Sequence, residues 1–424
     1  MDLKEIKVGI IGLGYVGLPL AIEFSKKYPV VGYDIKKDRV NELLDGIDRT
    51  NEVDKTDLIQ KPFLRFSNNI KDLEKCNFYI VTVPTPIDLN NNPDLSPLIS
   101  ASSLVGKVIS KNNIVVFEST VYPGATEEDC IPIVESESGL ILNESFFAGY
   151  SPERINPGDK TRKLSNILKV TSGSTHEAAD FIDLVYSSII DAGTYKAPSI
   201  KVAEAAKVIE NTQRYINIAL LNELSRIFSV LNIDTSEVLK AASTKWNFLN
   251  FQPGLVGGHC IGVDPYYLTY KSQLSGYEPE MILSSLMVNE QMPNYIVDLL
   301  VSKMKENGIV IDDSRVLILG LTFKENCPDL RNTKVINIIK LLRELNIKID
   351  VVDPQCSLQE AMEIYNIQVS REINFSNYDA ILIAVPHKEF LDLGINFIKS
   401  NIKPHGIIFD FKSIFEKELT DLRL

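Results

Sequence analysis

The sequence predicts an α/β chain with two doubly wound parallel sheets joined by a long central helix. Three observations carry this expectation. A strand, glycine turn, helix and strand open the chain at "VGIIGLGYVGLPLAIEFSKKYPVVGYD"; a second strand, loop, helix and strand begin at Arg315; and residues 200–231 between them hold neither glycine nor proline. At 424 residues the chain exceeds one ordinary core. We expect a nucleotide-binding domain at residues 1–196, a helical region at 197–306 and a second sheet domain at 307–424.

The first unit begins with β-formers at residues 6–11, after which Gly12, Gly14 and Gly17 form GxGxxG. The first glycine permits a tight turn, the second lets a pyrophosphate approach the backbone, and the third lets helix and strand pack closely. A helix expected to start near Tyr15 would present free N–H groups to that anion. Residues 30–33 form the next strand and run into Asp34. A carboxylate there accepts hydrogen bonds from an adenosine ribose and repels a 2′-phosphate, which selects NAD over NADP. The competing reading is a structural glycine turn with a surface aspartate. Further strands are expected within residues 78–86 and 114–120, placing Thr85 and Thr120 at carboxyl ends, where sheets of this kind meet their ligands.

Residues 200–231 read as a helix of roughly 45 Å. It is apolar on nearly every face, so it needs cover from its own chain or from a second subunit, and we expect a homodimer along it. Lys207 and Asn211 share one face. A lysine in "AEAAKVIENT" is costly to bury without a partner, unless it snorkels at the helix edge.

In "GLVGGHCIGVDPYYL" Cys260 stands behind Gly257 and Gly258 and four residues before Asp264. It is a core filler, a metal ligand, half of a disulfide or a nucleophile. The other cysteines (Cys76, Cys130, Cys327, Cys356) and the histidines (His176, His259, His387, His405) are dispersed. Their spacing offers neither a metal site nor a disulfide framework, so no metal is expected and a reducing compartment fits.

The second sheet domain repeats the first pattern: "RVLILG" is a strand, "IDVVDP" a strand ending in Asp353, and "YDAILIAVPH" and "HGIIFDFKS" two more. It lacks a full GxGxxG, so a different nucleotide is expected. Lys324 and Arg331 are candidates for phosphate contacts, or else solvated surface charge.

A net charge of -12 argues against unaided nucleic-acid binding. The apolar run "VGIIGLGYVGLPLAI" is shorter than the roughly 20 residues needed to cross a bilayer, so a cytoplasmic protein without a membrane partner is expected.

The ordered motifs GLGYVGLP, EST, SPERINPGD, AAKVIENT, GGHCIGVDP and GLTFKENCPDLRNTK together resemble the nucleotide-sugar 6-dehydrogenase family. The resemblance runs from about residue 6 to the C-terminus. It implies two Rossmann-like domains, the first for NAD and the second for a UDP-sugar, and two subunits meeting at the long helix. It also implies oxidation of a C6 alcohol to a carboxylate with two NAD⁺. By this resemblance Cys260 is the nucleophile that forms a thiohemiacetal and then a thioester, with glycines 257 and 258 letting the backbone crowd the sugar. Lys207 and Asn211 face the developing oxyanion, Asp264 and Thr120 hold the hydrolytic water, and Glu153 acts in hydrolysis.

The cofactor contacts implied are Gly12, Gly14, Tyr15, Val16, Gly17, Asp34, Arg39, Thr85, Thr120 and Arg331. The sugar-nucleotide contacts implied are Glu153, Arg154, Lys207, Asn211, Arg214, Phe251, Gly254, Gly257, Phe323 and Lys324. Where the UDP-glucose branch has a sequence like FLAEG after the glutamate, this chain has "RINPG", which is closer to the branch acting on UDP-N-acetylhexosamines. UDP-N-acetylglucosamine or its galacto epimer is the substrate expected, with UDP-N-acetylmannosamine or UDP-glucose the alternative, and a surface polysaccharide such as capsule the destination. Two rival classes stay open: a β-hydroxyacid dehydrogenase, which shares the Lys-x-x-x-Asn helix but performs one oxidation, and a non-enzymatic NAD-binding regulator with an inert Cys260.

Overall fold

The computed structural model describes every residue except Met1, Asn51, Gln60, Lys61, Leu89, residues 156–161, Lys163, residues 259–260 and residues 374–376. The chain divides into two compact units, Met1–Glu210 with Tyr266–Tyr277, and Asn211–Pro265 with Glu278–Leu424.

The first unit is built on six parallel strands: β1 (Val8–Ile11), β2 (Val30–Tyr33), β3 (Leu64–Ser67), β4 (Phe78–Val81), β5 (Ile114–Phe117) and β6 (Phe147–Tyr150). Their order is β3-β2-β1-β4-β5-β6, that of a doubly wound dinucleotide-binding sheet. β1, β4 and β5 are buried at every position, which is why they read as unbroken apolar runs rather than alternating ones. Val8 pairs with Val30 on one side and Phe78 on the other, so the loops after β1 and β4 leave the same sheet edge side by side. The helix after β1 is Gly17–Ser25, beginning two residues later than expected because Tyr15 and Val16 remain in the turn. A small parallel pair, β7 (Lys169–Thr171) and β8 (Thr194–Lys196), completes the unit.

The second unit holds β9 (Arg315–Leu319), β10 (Lys348–Val352), β11 (Tyr378–Ile383), β12 (Ile402–Asp410) and β13 (Leu422–Arg423). Their order is β10-β9-β11-β12-β13, the other common doubly wound arrangement. Its core places Val316, Ile318, Leu382 and Phe409 from the strands against Ile338, Ile339 and Leu342 of the following helix Val335–Glu344.

The long helix is Ile200–Val230, one residue short of the expected end. Its burial is uneven. Ala203, Val208 and Tyr215 are buried, but Ile209, Leu220, Ile227 and Val230 are 54, 50, 46 and 82% exposed. The single chain therefore covers only part of it. No helix among the described residues is long and apolar enough to cross a membrane.

Candidate functional site

The glycine loop after β1 has the geometry of an anion cradle. Gly12 takes φ +98°, a conformation that a side chain disfavours, and donates its N–H to Tyr33 O at 2.8 Å. A Cβ on Gly17 would overlap Gly12 O and Thr82 Oγ1, whereas one on Gly14 would meet no atom of the described residues within 4 Å. Gly14 thus faces open space where a pyrophosphate needs the backbone bare. Asp34 closes the loop from the end of β2: its Oδ2 accepts from Leu13 N at 3.0 Å and its Oδ1 from Lys36 N at 2.9 Å. These residues fit a bound dinucleotide such as NAD.

Two neighbours brace the loop rather than line it. Thr82 Oγ1 donates to Gly12 O at 2.8 Å, a contact that the sequence did not advertise. Arg39, expected among the cofactor contacts, is 3% exposed and donates through Nε to Leu13 O at 2.9 Å and through a terminal nitrogen to Asp48 at 2.7 Å. Tyr15, Val16, Thr85 and Thr120 are half-buried. The turn after Thr120 is pinned by Glu204, which accepts from Gly124 N at 2.5 Å and Thr126 N at 2.9 Å. Burial pushes the Glu204 carboxyl up to about 7.

Glu153 follows β6 and belongs to a buried ionic cluster. Its Oε1 accepts from Arg154 N and Ile155 N, both at 2.6 Å, and its Oε2 lies 3.4 Å from Lys169 Nζ. Lys169, at the start of β7, is 2% exposed and makes its shorter contact, 2.6 Å, to Glu118 at the end of β5. Tyr186 OH donates to the other Glu118 oxygen. Burial pushes Glu118 up to about 7. Burial alone would lower Lys169, but the two carboxylates outweigh it and hold the ammonium charged. Arg154, expected to meet the sugar, extends to Glu210 Oε1 at 2.6 Å.

In the second unit a cleft of about 170 Å³ is lined by Gly257, Phe323, Lys324, Thr333, Lys334, Lys412 and neighbours. A Cβ on Gly257 would come within 2.7 Å of Asn332 O, and one on Gly258, at φ +83°, within 2.7 Å of the Phe323 ring. The two glycines were expected to clear room for a sugar; what a side chain there would strike is this unit's own loop. Gly254 is packed against Lys412 and held by Asn222, whose amide accepts from Gly254 N at 2.7 Å and donates to Gly254 O at 3.0 Å. Burial holds the Lys412 ammonium below the ordinary lysine value, a cost that an anion in the cleft would offset.

The cleft loop is anchored from below by Asp353. Its Oδ2 accepts from Leu321 N at 2.7 Å, Thr322 N at 3.0 Å and His387 Nε2 at 3.1 Å, and its Oδ1 from Gln355 N and Cys356 N. His387 Nδ1 accepts from Asn326 N at 2.9 Å, so its proton sits on Nε2. Burial alone would raise Asp353, but the hydrogen bonds from His387 and the loop N–H groups outweigh it and hold the carboxyl down to about 2. Arg331 grips Asp329 at 2.6 Å, and Phe251 is half-buried.

Lys207 is 8% exposed and Asn211, one turn on, is 6% exposed, while Arg214 faces solvent. Asn211 Nδ2 donates to Asp264 Oδ2 at 2.5 Å, which ties two of the expected reactive residues together. Cys260 and His259 lie outside the described residues.

Comparison with known proteins accords with this geometry. Three domain patterns of one family match in order: the NAD binding domain at residues 6–190, the central domain at 201–291 and the UDP binding domain at 317–417. The chain is 57% identical, over 100% of both chains, to a UDP-N-acetyl-D-glucosamine 6-dehydrogenase of Pseudomonas aeruginosa. It is 52% identical to the protein CapL of Staphylococcus aureus, over 97% of this chain and 96% of that one. Among solved structures, the UDP-D-ManNAc dehydrogenase of Pyrococcus horikoshii superposes with a TM-score of 0.88 at 29% identity, covering 97% of this chain and 96% of its own. The chain belongs to the UDP-glucose/GDP-mannose dehydrogenase family.

Proposed function

We propose that this protein is an NAD-dependent UDP-N-acetylhexosamine 6-dehydrogenase, which converts the C6 hydroxymethyl group of UDP-N-acetylglucosamine or UDP-N-acetylgalactosamine to a carboxylate. The observation that carries this reading is the 57% identity, end to end, with the UDP-N-acetyl-D-glucosamine 6-dehydrogenase. UDP-N-acetylmannosamine is the second reading, favoured by the fold match at TM-score 0.88.

Bound NAD⁺ supplies the oxidising power for each of two successive oxidations at C6. The protein's own groups do the rest. Lys207 and Asn211 offer positive charge and an N–H to the oxyanion. The Cys260 thiolate bonds to the aldehyde carbon, so that the second oxidation leaves a thioester. Water, held by Thr120 and Asp264, then attacks the acyl carbon, the C–S bond breaks, and Glu153 takes the water proton. The cleft lined by Phe323, Lys324 and Lys412 takes the uridine diphosphate. The exposed Leu220, Ile227 and Val230 of the long helix support a homodimer along that face. The uronic acid product fits a cytoplasmic supply of donors for a surface polysaccharide.

The test counts NADH formed per sugar consumed with UDP-GlcNAc, UDP-GalNAc, UDP-ManNAc and UDP-glucose separately. Two NADH per N-acetylhexosamine, lost in Cys260→Ser, are expected. Two NADH from UDP-glucose alone would move the protein to another branch of the family, and one NADH per turnover would exclude the thioester route.

A further inference from the structure

A lysine enclosed at 2% exposure between two carboxylates is an expensive way to stabilise a fold. Apolar residues of similar volume usually serve stability as well or better, so the arrangement of Glu118, Lys169, Tyr186 and Glu153 calls for another reason. The cluster is asymmetric. Glu118 is saturated: Oε2 takes the 2.6 Å bond from Lys169 and Oε1 the hydroxyl of Tyr186. Glu153 is not, because the backbone N–H groups of Arg154 and Ile155 both fall on Oε1, while among the described residues Oε2 has only the long 3.4 Å contact to Lys169.

We propose that Lys169 is a positioning residue for hydrolysis, holding Glu153 with Oε2 turned to receive a proton, while Glu118 and Tyr186 fix Lys169 in place. The inference rests on the reading of Glu153 as the base of that step. The water oxygen bonds to the acyl carbon, the C–S electron pair returns to sulfur as the thiolate, and the water proton passes to Glu153 Oε2. Glu118 takes up most of the lysine's charge through the shorter contact. Glu153 is thereby steadied without being paired so tightly that it stops being a base. Remove the ammonium, and two buried carboxylates face one another with nothing between them; one then retains a proton. Tyr186 also presents its ring to the ammonium, 5.6 Å from the centroid, leaving Lys169 little freedom to swing elsewhere.

The experiment compares wild type with Lys169→Met, Lys169→Arg, Glu153→Gln and the double variant Glu118→Leu/Lys169→Met, using NAD⁺ and the UDP-sugar that wild type turns over. The double variant replaces the buried pair with apolar groups and guards against simple misfolding. Readouts are kcat, KM for the UDP-sugar, Tm and the intact mass of quenched enzyme. Lys169→Met and the double variant should lose about tenfold or more in kcat with little change in KM, and should accumulate enzyme bearing a covalent sugar nucleotide. Lys169→Arg should regain most of the rate. If Glu153→Gln accumulates the adduct and neither Lys169→Met nor the double variant does, the proposal for Lys169 fails and the role of Glu153 stands. If Glu153→Gln shows no adduct, the reading of Glu153 itself falls, and the proposal with it.

Discussion

Asp353→Asn tests how the nucleotide cleft is held in shape. Asp353 is fully buried and accepts five hydrogen bonds, three on Oδ2 from Leu321, Thr322 and His387 and two on Oδ1 from Gln355 and Cys356. Its carboxyl moves from 3.8 to about 2 on folding. At about 1.4 kcal/mol per pH unit, that is roughly 2 kcal/mol of stability at neutral pH. Asparagine removes the charge and turns one acceptor oxygen into an N–H₂ donor, which then faces two or three N–H groups. A buried N–H left unmet adds about 1–3 kcal/mol, so the variant should lose about 3–5 kcal/mol.

The sign with pH follows from the depressed value. The carboxylate's contribution is complete above 3.8 and disappears as pH falls through about 2. Urea unfolding of both proteins should show a constant gap from pH 8 to 5 and a gap narrower by about 1 kcal/mol at pH 3. UDP affinity, measured by calorimetry at pH 7, should fall in the variant while NADH affinity stays. A gap below about 1 kcal/mol at pH 7, or one equally wide at pH 3, would refute the reasoning.

Gly17→Ala should weaken NADH binding about ten- to hundredfold in a fluorescence titration, because its Cβ would overlap Gly12 O and Thr82 Oγ1, with UDP affinity unchanged. Lys412→Met should raise the Kd for UDP about tenfold at low salt, yet raise Tm at neutral pH, since the ammonium it removes is one that burial disfavours. Asn222→Ala should cost about 2 kcal/mol or more in chemical denaturation by stranding both Gly254 N–H and Gly254 O; a loss under half that size would mean that another group satisfies them.

Much of the fold was legible because buried parallel strands advertise themselves. Val30–Tyr33, Phe78–Val81 and Arg315–Leu319 fall where apolar runs placed them. Strands β3, β6, β7 and β8 escaped notice: they run three or four residues, and "LRFS" and "KVT" carry charge that only pairing explains. Spacing was enough to single out Gly12, Gly14, Gly17 and Asp34, because backbone geometry confines such positions to a few residue types. Partnerships between distant residues were not legible. Nothing near Lys169 in sequence points to Glu118, 51 residues earlier, and nothing near Gly254 points to Asn222. Single polar residues inside apolar stretches were the available signal, and their meaning came only with their partners.

The carboxylate at the end of β2 bears on attempts to change cofactor preference. Admitting a 2′-phosphate invites replacement of Asp34 by a small or basic residue. Yet Asp34 Oδ2 also holds Leu13 N at 3.0 Å, just as Asp353 Oδ2 holds Leu321 N at 2.7 Å at the matching place in the other sheet. Engineering at this position therefore alters two properties together, discrimination at the ribose and the set of the loop that carries the pyrophosphate. A redesign that keeps a hydrogen-bond acceptor at residue 34, as asparagine or serine does, and introduces the cation at a neighbouring position separates them; a direct exchange for arginine would sacrifice catalytic efficiency with either dinucleotide.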